Sequence, residues 1–150
     1  MQKDKKYFDR TEDEDALRMQ RLADETGWWS TMTQNEYGAP IDFEGDAIDQ
    51  RHTLIEVKYR DMDADAYDDY IIEVDKLADC YLHAAMTHST PLYINFFKDG
   101  NVLIWNLLEL KTPPTKQKIR RANKGFDTME VSNVYKLAAS DAYKYTFKSL

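Results

Sequence analysis

The stretch Leu54-Ile55-Glu56-Val57-Lys58-Tyr59-Arg60 encloses charged residues in a run of β-branched and apolar ones. As a strand it alternates its faces, with Ile55, Val57 and Tyr59 on one side and Leu54, Glu56, Lys58 and Arg60 on the other. The first set reads as packing onto a helix. Charge beside an apolar interior costs free energy unless it is paired or used. Glu56 and Lys58 therefore mark a place where chemistry is expected.

Working outward, residues 39–44 read as a second strand, joined to residues 52–60 through Gly45-Asp46 and the polar stretch after it. Upstream, residues 11–26 read as a helix with Thr11 as N-cap, acids at its positive end, and Ala16, Met19, Leu22 and Ala23 as its apolar stripe. Gly27 supplies the stop. Downstream, an Asp-rich loop over residues 61–69 leads into a helix of about twenty residues. Its apolar positions are Tyr70, Ile71, Val74, Leu77, Ala78, Tyr81, Leu82 and Ala85. Leu92 to Phe97 and Val102 to Leu108 form a hairpin around Asp99-Gly100. Pro113-Pro114 ends that strand, a basic segment runs from Lys116 to Lys124, and residues 131–146 read as a final helix. The order predicts a single mixed α/β domain, with a central β-sheet flanked by helices and a basic, helical extension over residues 109–150.

Composition narrows the classes. One hundred and fifty residues, 43% hydrophobic and 13% aromatic, supply a packed core. No apolar run is long enough for a membrane span, and the first residues lack the apolar core of a signal peptide. Cys80 is the single cysteine, which excludes an intrachain disulfide and a thiolate metal cage and fits a reducing, cytoplasmic setting. The three histidines have no zinc-site spacing, and no phosphate loop, dinucleotide fingerprint or nucleophile elbow is present. Trp28, Trp29 and Trp105 read as core residues. The net charge of −7 divides unevenly: residues 1–75 carry 9 Lys and Arg against 21 Asp and Glu, and residues 76–150 carry 11 against 6. An acidic half suited to cations faces a basic half suited to phosphate.

Pro40-Ile41-Asp42 precedes Glu56-Val57-Lys58 by fourteen residues from Asp42 to Glu56. In this pattern, and in the helix, hairpin, helix and strand order over roughly residues 11–108, the chain resembles the PD-(D/E)xK (restriction-endonuclease-like) nuclease superfamily. The resemblance implies a nuclease that hydrolyses DNA phosphodiester bonds with metal-activated water. Asp42 and Glu56 would bind Mg2+ or Mn2+, and Lys58 would serve the attacking water. Mg2+ suits such a site because it takes a few carboxylates plus waters and phosphate oxygens. Asp46 is a rival to Asp42, less favoured because it follows Gly45 in an expected turn.

Glu12 or Asp15 stands where many family members add a helical acid, and Lys76 where many carry a Lys or Gln. A dipole-favoured helix start and an exposed Glu73–Lys76 pair are the competing readings. Lys116, Lys118, Arg120 and Arg121 would grip DNA backbone, or else form a solvated helix face. A homodimer or a larger nucleic-acid-processing complex is compatible with the sequence. So is a non-catalytic adaptor that binds nucleic acid or protein on the same fold.

Overall fold

The computed structural model describes the backbone of residues 5–123 and 128–149, and the side chains of residues 13–120 and 131–149. Helix α1 is Lys5–Thr26, followed by strands β1 (Thr33–Gln34), β2 (Phe43–Asp46), β3 (His52–Arg60) and β4 (Asp69–Glu73). Helix α2 (Val74–Thr87), β5 (Thr90–Phe97), β6 (Asn101–Asn106), β7 (Thr115–Asn123) and β8 (Thr128–Ala138) come next, and a short 3-10 turn leads to β9 (Tyr143–Thr146).

A six-stranded sheet runs β1-β2-β3-β5-β6-β9, and a three-stranded sheet runs β4-β8-β7. Only β3 and β5 pair in parallel within the larger sheet, the mixed arrangement expected when a helical crossover joins two strands of a hairpin-rich sheet. The alternation read in β3 sorts two cores. Ile55 and Val57 pack with Met19 and Leu22 of α1, with Phe43, Ile94 and Phe96. Leu54 packs on the other side with Leu77, Cys80 and Ala84 of α2, and with Tyr70, Ile72 and Leu137 of the smaller sheet. The chain thus has a layered α/β architecture, a mixed sheet held between two helices.

Four local expectations are corrected. First, α1 begins at Lys5, so Thr11 lies inside the helix and does not cap it. No Gly or Pro interrupts residues 5–10, so nothing stops the helix there. Its end is as read, with Gly27 at φ 66° donating its N–H to the Ala23 carbonyl at 2.9 Å.

Second, Gly45 is a strand residue and not a turn. The chain reverses at residues 47–51, where the Ala47 N–H reaches the Arg51 carbonyl and Gln50 takes a φ of 71°. Gly45 is required by close approach: a Cβ there would sit 2.2 Å from the Thr31 carbonyl oxygen. Asp42 consequently lies just before β2 instead of within it.

Third, residues 69–73 form β4, and α2 has fourteen residues. Tyr70 and Ile72 are buried and Ile71 half-buried, a two-residue alternation that the longer apolar run masked. Fourth, the expected final helix over 131–146 is strand β8, the 3-10 turn and strand β9. Its apolar residues are also compatible with a helix, but β8 is paired on both sides, by β4 and β7, so its backbone groups are satisfied in the sheet.

The tryptophans are structural. Trp105 is fully buried with its Nε1 donating to the Ala138 carbonyl, and Trp29 donates to Thr53 Oγ1. Trp28 is half-buried, with edge-to-face contacts to Trp29, Tyr143 and Tyr145.

Candidate active site

In the β2–β3 hairpin Phe43 stands opposite Ile55, and one step further Asp42 comes opposite Glu56 on the same face. Asp42 is fixed by its backbone: its carbonyl accepts from the Asn35 N–H at 2.9 Å, and its Oδ2 accepts from the Val57 N–H at 3.0 Å. Glu56 is buried, with 7% of its surface exposed. Its Oε1 is enclosed and meets no donor, and its Oε2 lies 3.8 Å from the Lys76 Nζ.

Burial raises both carboxyl pKa values, that of Glu56 well above the ordinary range. The Asp42 charge pushes Glu56 further, while the Lys76 charge restrains both. With Asp42 charged beside it, Glu56 is driven further toward its protonated form, so the two carboxyls titrate as a coupled pair.

Lys76 occupies the first turn of α2, an end where the helix dipole disfavours a cation. Burial lowers the affinity of its amine for a proton, but Glu56, Asp42, Glu73 and Asp79 together outweigh burial and hold the pKa above its usual value. Its Nζ lies 3.8 Å from Glu56 Oε2, and the Glu73 charge acts on it as well.

Asp15 approaches Asp42 from α1. Burial raises its pKa to about 6 against the pull of Arg18, and the Asp42 charge adds to the rise. The Arg18 Nη1 bonds Asp15 Oδ1 at 2.9 Å, and its guanidinium lies 4.0 Å from the centre of the Tyr59 ring. Asp15, Glu36 and Asp42 line a small cleft of about 20 Å³, room for one water-sized occupant. The side chain of Glu12 lies outside the described residues. Asp46 is exposed, bonded to His52 Nδ1 at 2.9 Å at the far end of the hairpin, so it does not compete with Asp42.

Lys58, two residues beyond Glu56, is half-buried and shares its strand face. Beside it in register on β5 is Asn95, fully buried, which sequence reading passed over. Asn95 Oδ1 accepts from Arg60 Nε at 2.5 Å, while its Nδ2 meets no acceptor. The Arg60 Nη2 reaches the Ile71 carbonyl and the Tyr93 hydroxyl, tying β3, β4 and β5 together beneath the site. A lone amide in the apolar run Leu92 to Phe97 was the available signal.

Among the described residues, no group of three or more His, Cys, Asp or Glu side chains is arranged to hold a metal ion. The donor chemistry nevertheless fits a hard divalent cation. Two adjacent carboxylates, one with an enclosed and unsatisfied oxygen, leave the remaining positions to water and phosphate oxygens.

The basic segment separates from this cluster in the chain. Lys116, Lys118 and Arg120 are exposed on β7, a strand and not a helix. Arg121 belongs to β7 and pairs with Glu130, with its side chain outside the described residues, and Lys124 lies outside them altogether.

No protein-family model matches the chain, and no characterised protein matches it by sequence. Among solved structures it is similar to Hjc, a Holliday junction resolvase from the archaeal hyperthermophile Archaeoglobus fulgidus. The TM-score is 0.50 at 10% identity, over 81% of this chain and 88% of that one. The likeness is one of fold, and it agrees with a layered, restriction-endonuclease-like arrangement of a mixed sheet between two helices. Among the described residues no helix is long and apolar enough to cross a membrane.

Proposed function

We propose that this chain is a metal-dependent nuclease that hydrolyses DNA phosphodiester bonds, with Asp42, Glu56 and Lys58 as its site. One observation carries the reading: the half-buried Asp42 just before β2 and the buried Glu56 on β3 lie side by side, with raised pKa values and an enclosed Glu56 oxygen that lacks a donor. As a purely structural pair they cost stability, because like charges out of water repel. As ligands they offer a cation two adjacent anionic donors.

Asp42 and Glu56 would hold Mg2+ or Mn2+, which when bound polarises the phosphoryl group and acidifies a water. Lys58 would orient the attacking water and offset charge that develops on the phosphoryl oxygens. The Val57 N–H keeps Asp42 aimed at its partner, and Lys76 limits repulsion before the cation arrives. The likeness to a resolvase makes branched DNA a substrate to test beside plasmid. The test is cleavage of both with Mg2+ or Mn2+, comparing wild type with Lys58→Ala. Metal-dependent nicking lost in the variant supports the assignment, and unchanged nicking refutes it.

A second reading, a non-catalytic adaptor on the same fold, is favoured by the outer side of α2. Leu82 and Met86 are 57% and 67% exposed there, a pattern that serves a protein partner. A thermal melt separates the two readings. Stabilisation by Mg2+ or Mn2+ that disappears in Glu56→Gln belongs to the nuclease, and indifference to cations belongs to the adaptor.

A further inference from the structure

β4 covers only part of β8, from Val134 to Ala138, whereas β7 pairs β8 along its whole length. Residues 128–133 of β8 and 118–123 of β7 therefore continue as a two-stranded ribbon past the last β4 residue, Glu73. At about 3.4 Å per residue the overhang is roughly 20 Å long. It leaves the sheet at the end where β4 passes into α2, whose first turn carries Lys76 against Glu56.

The ladder register sorts the ribbon's faces. Lys116, Lys118 and Arg120 stand opposite Tyr135, Asn133 and Val131, and directly opposed residues share a face. Tyr135 and Leu137 turn that same face toward the core that contains α2. Lys118 and Arg120 thus lie on the continuation of the core-facing side, with Lys116 at its base beside Tyr135, the three spaced about 6.8 Å apart and exposed to solvent. Val131 is 64% exposed and Asn133 is also exposed, so an apolar group and an amide lie beside the cations on β8.

We propose that the β7–β8 ribbon is a duplex-DNA arm: Lys116, Lys118 and Arg120 engage backbone phosphates while the ribbon lies in or along the major groove, holding the helix beside the α2 end of the carboxylate site. A two-stranded ribbon fits the roughly 12 Å major groove of a duplex, and regularly spaced cations suit its charged backbone. The inference rests on the nuclease reading only for what the held duplex is presented to. Duplex binding itself needs no catalysis.

The experiment measures binding of the full chain to a labelled 30-base-pair duplex and to a single strand of equal length, by fluorescence anisotropy in EDTA across a NaCl series. The triple variant Lys116→Ala, Lys118→Ala, Arg120→Ala is compared with wild type and with a control triple, Lys98→Ala, Lys111→Ala, Lys148→Ala. All six side chains are exposed, and thermal melts confirm that each variant is folded.

Wild type is expected to prefer duplex. The ribbon triple should weaken duplex binding at least tenfold near 0.1 M salt and flatten the slope of log affinity against log salt by about 2–3, as three lost phosphate contacts require. The control should keep the wild-type slope. An unchanged slope in the ribbon triple, an equal loss in both triples, or a preference for single strand overturns the proposal. Ribbon-dependent binding by a protein that never cleaves refutes the nuclease reading and leaves the arm standing. Metal-dependent cleavage with ribbon-independent binding does the reverse.

Discussion

Replacing Asp15 by Asn is expected to stabilise the metal-free protein at neutral pH. Burial lifts the Asp15 carboxyl from 3.8 to about 6 despite its bond to Arg18, and its side chain is only 14% exposed. A carboxyl whose folded pKa is raised binds its proton more tightly in the folded state. The associated penalty is absent below about pH 4, grows as pH rises through about 6, and is complete above pH 7. The rise from 3.8 to about 6, at about 1.4 kcal/mol for each pH unit, caps that penalty at roughly 3 kcal/mol. Asn retains an oxygen for Arg18 and carries no charge, so a gain of about 1–3 kcal/mol is expected at pH 7.5, roughly half of it at pH 5, and close to none at pH 3.5. Urea melts in EDTA at the three pH values measure it. Destabilisation at pH 7.5, or the same effect at pH 3.5, would refute the claim that desolvation dominates at Asp15. Adding Mn2+ should shrink the gain, because a cation held at Asp42 favours the charged form of its neighbour.

Other expectations follow from the same contacts. Glu56→Gln removes a carboxyl whose ionisation burial opposes and should raise the melting temperature of the metal-free protein at neutral pH while abolishing stabilisation by Mg2+ or Mn2+. For wild type that stabilisation should reach about 2.7 kcal/mol at a cation concentration a hundred times Kd. Lys76→Met removes the charge that restrains the carboxyl pair. Both pKa values should rise, so cation binding, followed by isothermal titration across pH 6–8.5, should need a more alkaline pH than in wild type. Gly45→Ala drives a methyl group into the Thr31 carbonyl and should destabilise by about 1–3 kcal/mol in urea melts. Glu25 accepts from the Lys148 N–H, the Tyr145 hydroxyl and Arg21, which holds its pKa down at about 2. Glu25→Ala should therefore speed hydrogen exchange in β9 without altering cation response.

Sequence by itself determined the pieces whose local pattern has one physical solution. The two-residue alternation of Leu54 to Arg60 required a strand with an apolar face and a charged face, and the α1 stripe of Ala16, Met19 and Leu22 matches its packing. In contrast, α2 buries Leu77, Cys80 and Ala84 and leaves Ala78, Tyr81, Leu82 and Ala85 of the expected stripe exposed. Such local patterns are why Glu56 and Lys58 stood out, and why the helix–hairpin–helix–strand order was legible. Tertiary structure decided the rest, through contacts distant in the chain. Residues 69–73 and 131–138 are compatible with a helix or a strand taken alone, and become strands because each completes the other's hydrogen bonds in a second sheet. Asp42 prevails over Asp46 only because the hairpin turns after residue 46 and brings Asp42 opposite Glu56. The partnership of Lys76 with Glu56, and of Arg60 with Asn95, joins residues 20 and 35 positions apart. Charge and periodicity along a chain specify which faces are apolar or polar; which polar groups share a buried site is fixed when the sheet closes and water leaves.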